Sequence, residues 1–281
     1  MIAAVRAEWF KLVRRRALWV TIGLMVVLAV GIEYVLVYIV ATHPPAGAAR
    51  AGAELTALRT GLYPDSVIKK SLANASGLVG IFALIVGVLA QGSEYSWATV
   101  KTALVQLPGR ISIVAGQLAS LAVLALIMAL GLFIADAAAS YVIATIDAKS
   151  AVWPSVVDLL KGVGAAWLIL YFLTVLGFGL ATLFRQSAMA IGLGLAYVLV
   201  IENLVFGLLV NLGDTFKQIQ EWFPIANAGY LQASFGKASG AVAAAAANPP
   251  VGPDHAVIVL ALWLAGVAAL SAILVRARDV I

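Results

Sequence analysis

The hydrophobic positions of this chain gather into long runs separated by short polar pieces, and the length of each run decides what it predicts. A bilayer core about 30 Å thick takes about 20 apolar residues in a helix rising 1.5 Å per residue. Runs of that order occupy residues 17–41, 76–91, 111–135, 162–184, 188–210 and 256–275. They predict six transmembrane helices in one all-α polytopic domain covering 1–281. The second run is the shortest, and beginning it near Leu72 would bury Asn74. The first run is longer than the roughly 7–15 residues of a signal-peptide core and has no small-x-small site after it, so it reads as a retained span.

Ahead of the first run, Ile2, Val5, Trp9, Leu12 and Val13 recur at helical spacing, while Arg6, Lys11, Arg14 and Arg15 lie mostly off that stripe. The pattern predicts an amphipathic helix over 1–16 lying in the inner interface, with a plain positive topology anchor as the alternative. If the amino terminus is inside, the cytoplasmic pieces hold Arg6, Lys11, Arg14, Arg15, Arg16, Lys101, Arg110, Arg185, Arg276 and Arg278. The external pieces then hold Arg50, Arg59, Lys69, Lys70, Lys149, Lys161, Lys217 and Lys237. The inside pieces are much the shorter, so the density of positive charge puts both termini in the cytoplasm.

The two long external connections differ in character. Residues 42–75 read as a polar loop with Pro44 and Pro45, followed by a short helix over 53–62. Residues 211–255 carry Trp222-Phe223-Pro224, then Gly229, Tyr230 and Phe235, then an alanine-rich stretch ending at Asn248-Pro249-Pro250. Either a re-entrant helix pair packed in protein or a plain loop fits this second connection.

Composition narrows the picture further. Hydrophobic residues make up 63% and charged residues 11% of the chain, against roughly 45–50% and about 25% in soluble domains, so a water-facing surface is excluded. The net charge of +5 is spread over the flanks of the apolar runs, which argues against nucleic acid and for anionic lipid as the basic partner. There is no cysteine, which excludes disulfides, thiolate catalysis and a cysteine-ligated metal. His43 and His255 stand at the ends of apolar runs and read as interfacial loop residues.

The connection from Gly92 to Arg110 is short and amphipathic: Trp97, Val100, Leu104 and Leu107 share one helical face, and Pro108-Gly109 ends the helix. A cytoplasmic helix over 93–107 is expected. Its residues Glu94, Thr99, Lys101, Leu104, Pro108 and Arg110 resemble the type-2 permease family of ATP-binding-cassette (ABC) transporters. The resemblance extends to Glu8-Trp9-Phe10-Lys11-Leu12 with Arg14 to Arg16, to Trp222-Phe223-Pro224, and to Arg276-Ala277-Arg278-Asp279-Val280. Ala98 and Gln117 stand where many relatives have glycine and lysine.

The resemblance implies the membrane-spanning permease subunit of an ABC exporter in the bacterial plasma membrane, paired with a second permease copy as a homodimer or heterodimer. Two cytoplasmic ABC ATPase subunits would hold ATP and Mg, and Glu94, Tyr95, Trp97, Thr99, Lys101 and Leu104 would couple to them. A hydrophobic or amphipathic substrate, such as a drug, peptide or lipid, is the cargo this family suggests. Independently, the chain has no Gly-x-x-x-x-Gly-Lys-Ser/Thr phosphate loop, and Gly236-Lys237-Ala238 is the nearest fragment. By this reading the chain is no ATPase on its own, and it binds neither cofactor nor metal.

Ionisable residues inside spans cost about 2.5–3.5 kcal/mol at the centre of an inserting helix and so mark candidate sites. Glu33 beside Tyr34 and Glu202 beside Asn203 are expected to line the substrate pathway, with snorkelling or pairing to a neighbouring helix as the plainer outcome. The same two glutamates would serve a gradient-driven secondary transporter, the alternative function. Asp136 is expected to be a solvated helix end. An intramembrane enzyme finds no His-Glu-x-x-His or comparable pair. Gly177, Gly179, Gly192 and Gly194 predict close helix packing, and Tyr38, Trp153, Tyr171, Trp222 and Trp263 an aromatic belt. Asn74-Ala75-Ser76 also matches a glycosylation acceptor.

Overall fold

The computed structural model describes residues 2–44, 52–96, 110–205, 213–236 and 250–277, and among these there is no strand. Helix α1 (Ile2–Arg14) is followed across Arg15 by α2 (Arg16–Thr42), whose middle opens into a π-helical stretch at Gly31–Leu36. A short α3 (Gly52–Thr60) and a 3₁₀ turn (Pro64–Ser66) lead into α4 (Val67–Ser76) and α5 (Leu78–Ser96). Then come α6 (Arg110–Ile146) and α7 (Val156–Phe184). Helix α8 (Ser187–Ala196) continues as a π-helix through Tyr197–Val205. Two short helices, α9 (Asp214–Gln220) and α10 (Pro224–Ala233), precede α11 (Pro253–Ala277).

Four of these helices, α2, α6, α7 and α11, are long and apolar enough to cross a membrane, and a fifth crossing results if the bent pair Pro64–Ser76 and Leu78–Ser93 is one span. The protein is therefore all-helical, with a set of apolar helices that fits a multi-pass membrane protein. Ser187–Glu202 is apolar but shorter. Large hydrophobic side chains such as Val20, Val27, Ile134, Leu160 and Ile273 stand on the outer surface, an arrangement that water would penalise and lipid would not.

Helix α7 is the centre. Its start is fixed locally: Ser155 Oγ accepts from the Asp158 backbone N–H at 3.1 Å, and Asp158 favours the positive end of the helix dipole. Its end is fixed by Arg185 in the left-handed conformation (φ 55°). Between these ends, α7 packs against α4, α5, α6, α8 and α11. The contact with α5 is the most intimate because two glycines face backbone. A Cβ on Gly87 would run into the Thr174 carbonyl, and one on Gly177 into the Leu84 carbonyl. Toward α6, Trp167 Nε1 donates to the Ala122 carbonyl at 3.0 Å and Tyr171 Oη to the Leu118 carbonyl at 3.1 Å, with the two rings stacked 5.6 Å apart. Such interhelical bonds contribute about 0.6 kcal/mol each in membrane proteins.

Of the other glycines expected to allow close packing, Gly179 meets Val267 on α11 and Gly194 meets Leu84 on α5, whereas Gly192 faces open space. Helix ends depart from the apolar runs in a consistent way. Helix α6 passes residue 135 without a break because Asp136 is enclosed rather than hydrated, and α7 starts before residue 162. The expected polar loop 42–75 holds α3 near its foreseen place, but its last third is the buried helix α4, in which Ser71, Leu72, Asn74 and Ala75 are inaccessible. That burial also leaves Asn74 closed to glycosylation in the folded chain. Gly77 then breaks the helix, and α5 leaves at 45°.

Gly87→Ala and Gly177→Ala should each lower the thermal midpoint of the purified protein, with a loss of roughly 1–3 kcal/mol for overpacking against rigid backbone. Gly192→Ala and Gly131→Ala, where nothing lies within 4 Å of the added Cβ, should leave it unchanged. Equal effects at all four positions would show that the α5–α7 seam has no special role.

Candidate functional site

At one end of the bundle Arg15 sits in the single-residue gap between α1 and α2 and reaches α5. Its guanidinium donates to the Ala90 carbonyl at 2.8 Å and the Leu89 carbonyl at 3.3 Å, and also contacts the Ser93 hydroxyl. The two carbonyls lie in the C-terminal half of α5, toward the negative end of its dipole, where a cation is favoured. A cavity beside the latch is lined by Glu8, Lys11, Leu12, Arg15, Gln117 and Phe178 among others. Glu8 is buried and paired to Lys11 at 2.7 Å. Ser120 Oγ on α6, at 3.4 Å from the Val5 carbonyl, brings α1 across the start of α6. Arg15 thus ties the amphipathic helix to the end of α5 that leads into residues 93–107.

Glu94 and Tyr95 fall in the last turn of α5, while Trp97, Thr99, Lys101 and Leu104 lie outside the described residues. The foreseen helix over 93–107 is therefore seen only at its first residues, as the continuation of α5 to Ser96.

Both glutamates expected to line a pathway stand on π-helical turns, Glu33 within Gly31–Leu36 and Glu202 within Tyr197–Val205. A π turn widens the helix and frees carbonyls, a distortion that recurs at functional sites. Each glutamate is engaged inside the protein. Lys70 Nζ on α4 donates to Glu33 Oε2 at 3.1 Å and to the Glu33 carbonyl at 3.0 Å, and lies 5.6 Å from the Tyr34 ring. Glu202 is 1% exposed, and its Oε1 accepts from the Ala226 N–H at 2.8 Å, in the first turn of α10. That N–H is one of the unsatisfied donors of a helix start, so the carboxylate caps α10. Tyr197, five residues earlier, shares its face in π register. Tyr34 is fully buried, and the Asn203 side chain lies outside the described part.

In the connection 211–255, for which a helix pair and a plain loop stood as alternatives, the described residues form the two short helices α9 and α10. Asn227 Nδ2 donates to the Glu221 and Phe223 carbonyls, both at 2.7 Å, across the Trp222-Phe223-Pro224 turn. His255 Nε2 donates to the Glu221 carbonyl at 3.0 Å, and Trp263 Nε1 to the Trp222 carbonyl at 2.8 Å, which pins the turn to α11. His255 is thus a half-buried structural contact, while His43 is exposed as expected. Gln232 near the other end of α10 accepts from Ser76 Oγ at 2.6 Å, beside the Gly77 break.

Asp136 corrects the expectation of a solvated end. It is fully buried on α6, with Ser71 Oγ donating to its Oδ2 at 2.7 Å. Eleven residues later, just past the end of α6, Asp147 gathers three donor side chains. Arg59 of α3 grips it through one guanidinium edge, Nε donating to Oδ2 at 2.8 Å and Nη2 to Oδ1, while Tyr63 Oη donates at 2.9 Å and Tyr38 Oη at 3.0 Å. The Arg59 guanidinium, with the two phenols, holds the Asp147 carboxyl down at about 2, and burial with the Asp147 contact pushes the Tyr63 phenol up. Tyr38 therefore serves as a tether rather than as a free belt aromatic. Neither Ser71 nor Asp147 was singled out in the sequence, and Lys70 entered only as an external positive charge. The signal available was the string of polar residues between 65 and 76 immediately before an apolar run, which resembles a loop but is a helix buried on several sides.

Two measurements follow from this geometry. The Asp147 carboxyl is depressed in the folded chain, so its contribution is fully present above about pH 4, the unfolded value, and is lost as pH falls toward about 2. Wild type should accordingly lose thermal stability across that acid window, and Asp147→Asn should be less stable at neutral pH and flatter between those limits. Glu202→Ala should raise amide exchange over 224–233 by leaving the α10 start uncapped, at roughly 0.5–2 kcal/mol, while Glu202→Gln, which keeps an acceptor, should raise it less.

No curated protein matches the chain. A family model described as a protein of unknown function, DUF2705, matches residues 64–281, from the start of the α4 segment through α11. That match covers most of the sequence, and the chain belongs to the DUF2705 family.

Proposed function

We propose that the chain is the membrane-spanning permease subunit of an ATP-driven ABC exporter. In this reading α2, the α4–α5 pair, α6, α7, α8 and α11 make six crossings, and both termini face the cytoplasm of a bacterial cell. A second permease copy completes the transmembrane pathway, and cytoplasmic ABC ATPase subunits dock against residues 93–107 and supply ATP and Mg. The cargo class is hydrophobic or amphipathic, a drug, peptide or lipid.

The observation that carries this reading is the Arg15 latch. The amphipathic helix α1 is held to the Leu89–Ser93 turn of α5, from which the connection 93–107 departs. A force applied to that connection is thereby shared with α1, with α2 through the same residue, and with α7 through the glycine seam. The two short helices α9 and α10, joined by the Trp222-Phe223-Pro224 turn before the last apolar helix, are compatible with the same family reading. The gradient-driven alternative is less well supported, because Glu33 is already matched by Lys70 and Glu202 by the start of α10.

The test is co-purification with the ATPases of the host from detergent, with ATPase activity recorded in lipid. Wild type should retain one ABC ATPase. Glu94→Ala and Trp97→Ala should weaken retention, and Arg15→Met should keep the ATPase bound but lower its stimulation several-fold. No ATPase retained by the wild-type chain under any condition would reject the reading.

A further inference from the structure

Among the described residues, two acidic side chains inside the apolar body, Asp136 and Glu202, form no ion pair, and only Glu202 is answered by a helix start. Asp136 is enclosed on α6, its Oδ2 takes the Ser71 hydroxyl at 2.7 Å, and its Oδ1 has no hydrogen-bond partner. Around it, α4 contributes Lys70, Ser71 and Asn74, and the π turn of α2 contributes Glu33 and Tyr34. Lys70 is committed to Glu33, through both the carboxylate and the carbonyl. Helix α7 presents Gly162 to this region, wedged between Ile68 and Phe133, and its Lys161 points outward and is exposed. Asp65 of the 3₁₀ turn and Asp254 of α11 are exposed, and His255 is bonded to the Glu221 carbonyl. Glu33 and Lys70 cancel, so the ionised cluster would keep one negative charge away from water.

A buried carboxylate without a counter-charge resolves by neutralisation rather than by staying ionised. Two cations fit that need, a proton and a small metal ion. The Lys70 ammonium already supplies positive charge beside the cluster, and the Asn74 side-chain amide, with a donor nitrogen, lies beside the Asp136 carboxyl. Those groups disfavour a metal ion. A proton on Oδ1 instead converts an orphaned acceptor into a donor, and the neighbouring Asn74 amide, whose oxygen has no other hydrogen bond, can turn that oxygen to accept it.

We propose that Asp136, with Ser71, Asn74 and Tyr34 around it, is a proton-binding site that joins α6 to the outer arm of the bent helix pair. The site does not depend on the permease reading and needs no ATPase. Releasing the proton leaves a net negative charge between α4 and α6, on the arm that hinges at Gly77.

Infrared spectroscopy of the full chain in lipid nanodiscs tests it. At neutral pH the wild type should show a carboxylic-acid C=O band that shifts down in D2O, disappears in Asp136→Asn and persists in Lys70→Met. Asp136→Glu should keep an acid band at a displaced frequency, which assigns it even if the asparagine variant does not fold, and a band from Glu202 would be untouched by all three changes. Exchanging choline chloride for NaCl should leave the band in place. Three results would overturn the proposal: no acid band that responds to change at residue 136, a band that arises only in Lys70→Met, or loss of the band on adding sodium. The second would mean that Lys70 neutralises Asp136, and the third that a metal ion does.

Discussion

The close approach of α5 and α7 is the constraint from which the rest of the bundle follows. At Gly87 and Gly177 the two backbones meet without intervening side chains, so their separation is set by carbonyls rather than by rotamers. In an apolar solvent the hydrophobic effect does not drive helices together, and close packing with interhelical hydrogen bonds has to do so. A small-residue seam at the centre therefore fixes the one pair against which α4, α6, α8 and α11 are placed. The large exposed apolar side chains of α2 and α11 are the other face of the same constraint, since these outer helices have no protein on most of their surface, as suits contact with lipid.

With the centre set by packing, polar bonds position the irregular parts. Arg15 holds the amphipathic helix to the end of α5, Asp147 collects α2, α3 and the 3₁₀ approach at the end of α6, and Glu202 starts α10. Each bond joins a charged side chain to backbone termini or to several donors at once. That geometry suits a low-dielectric setting, where an isolated charge is costly and a satisfied one gives direction.

Much of the architecture was legible because long apolar runs have few alternatives. Residues 17–41 and 256–275 correspond closely to α2 and α11, while the helix pair around Trp222-Phe223-Pro224 was only one of two readings of its connection. Hydropathy failed where polarity and burial part company. Lys70 and Ser71 made residues 65–75 read as loop, with only the alternative span start near Leu72 burying Asn74, yet Lys70 and Ser71 are bonded to α2 and α6, partners distant in sequence, and Asn74 is buried. Asp136 misled for the same reason, since a carboxylate usually ends an apolar helix unless tertiary contacts admit it. Of the candidate site, Glu33 and Glu202 were found as costly charges, but their partners were not, because neither spacing nor composition encodes which distant helix supplies them. The expected coupling residues from Trp97 onward lie outside the described chain.

The departures from regular helix coincide with these bonds. The π turn at Gly31–Leu36 is met by Lys70, which donates to the Glu33 carbonyl as well as to its side chain. The break at Gly77 follows Ser76, which is held by Gln232 of α10, and the π stretch at Tyr197–Val205 is held through Glu202 to the start of that same helix. A π turn or a break leaves backbone groups without their helical partner, a cost of several kcal/mol each in a bilayer unless protein supplies a substitute. Helix α10 thus ties two of the three irregular points together, through Gln232 near one end and its first-turn N–H groups at the other. A displacement of α10 would have to strain both bonds, so the bend of the α4–α5 pair and the widened turn of α8 are mechanically joined although more than a hundred residues of chain separate them.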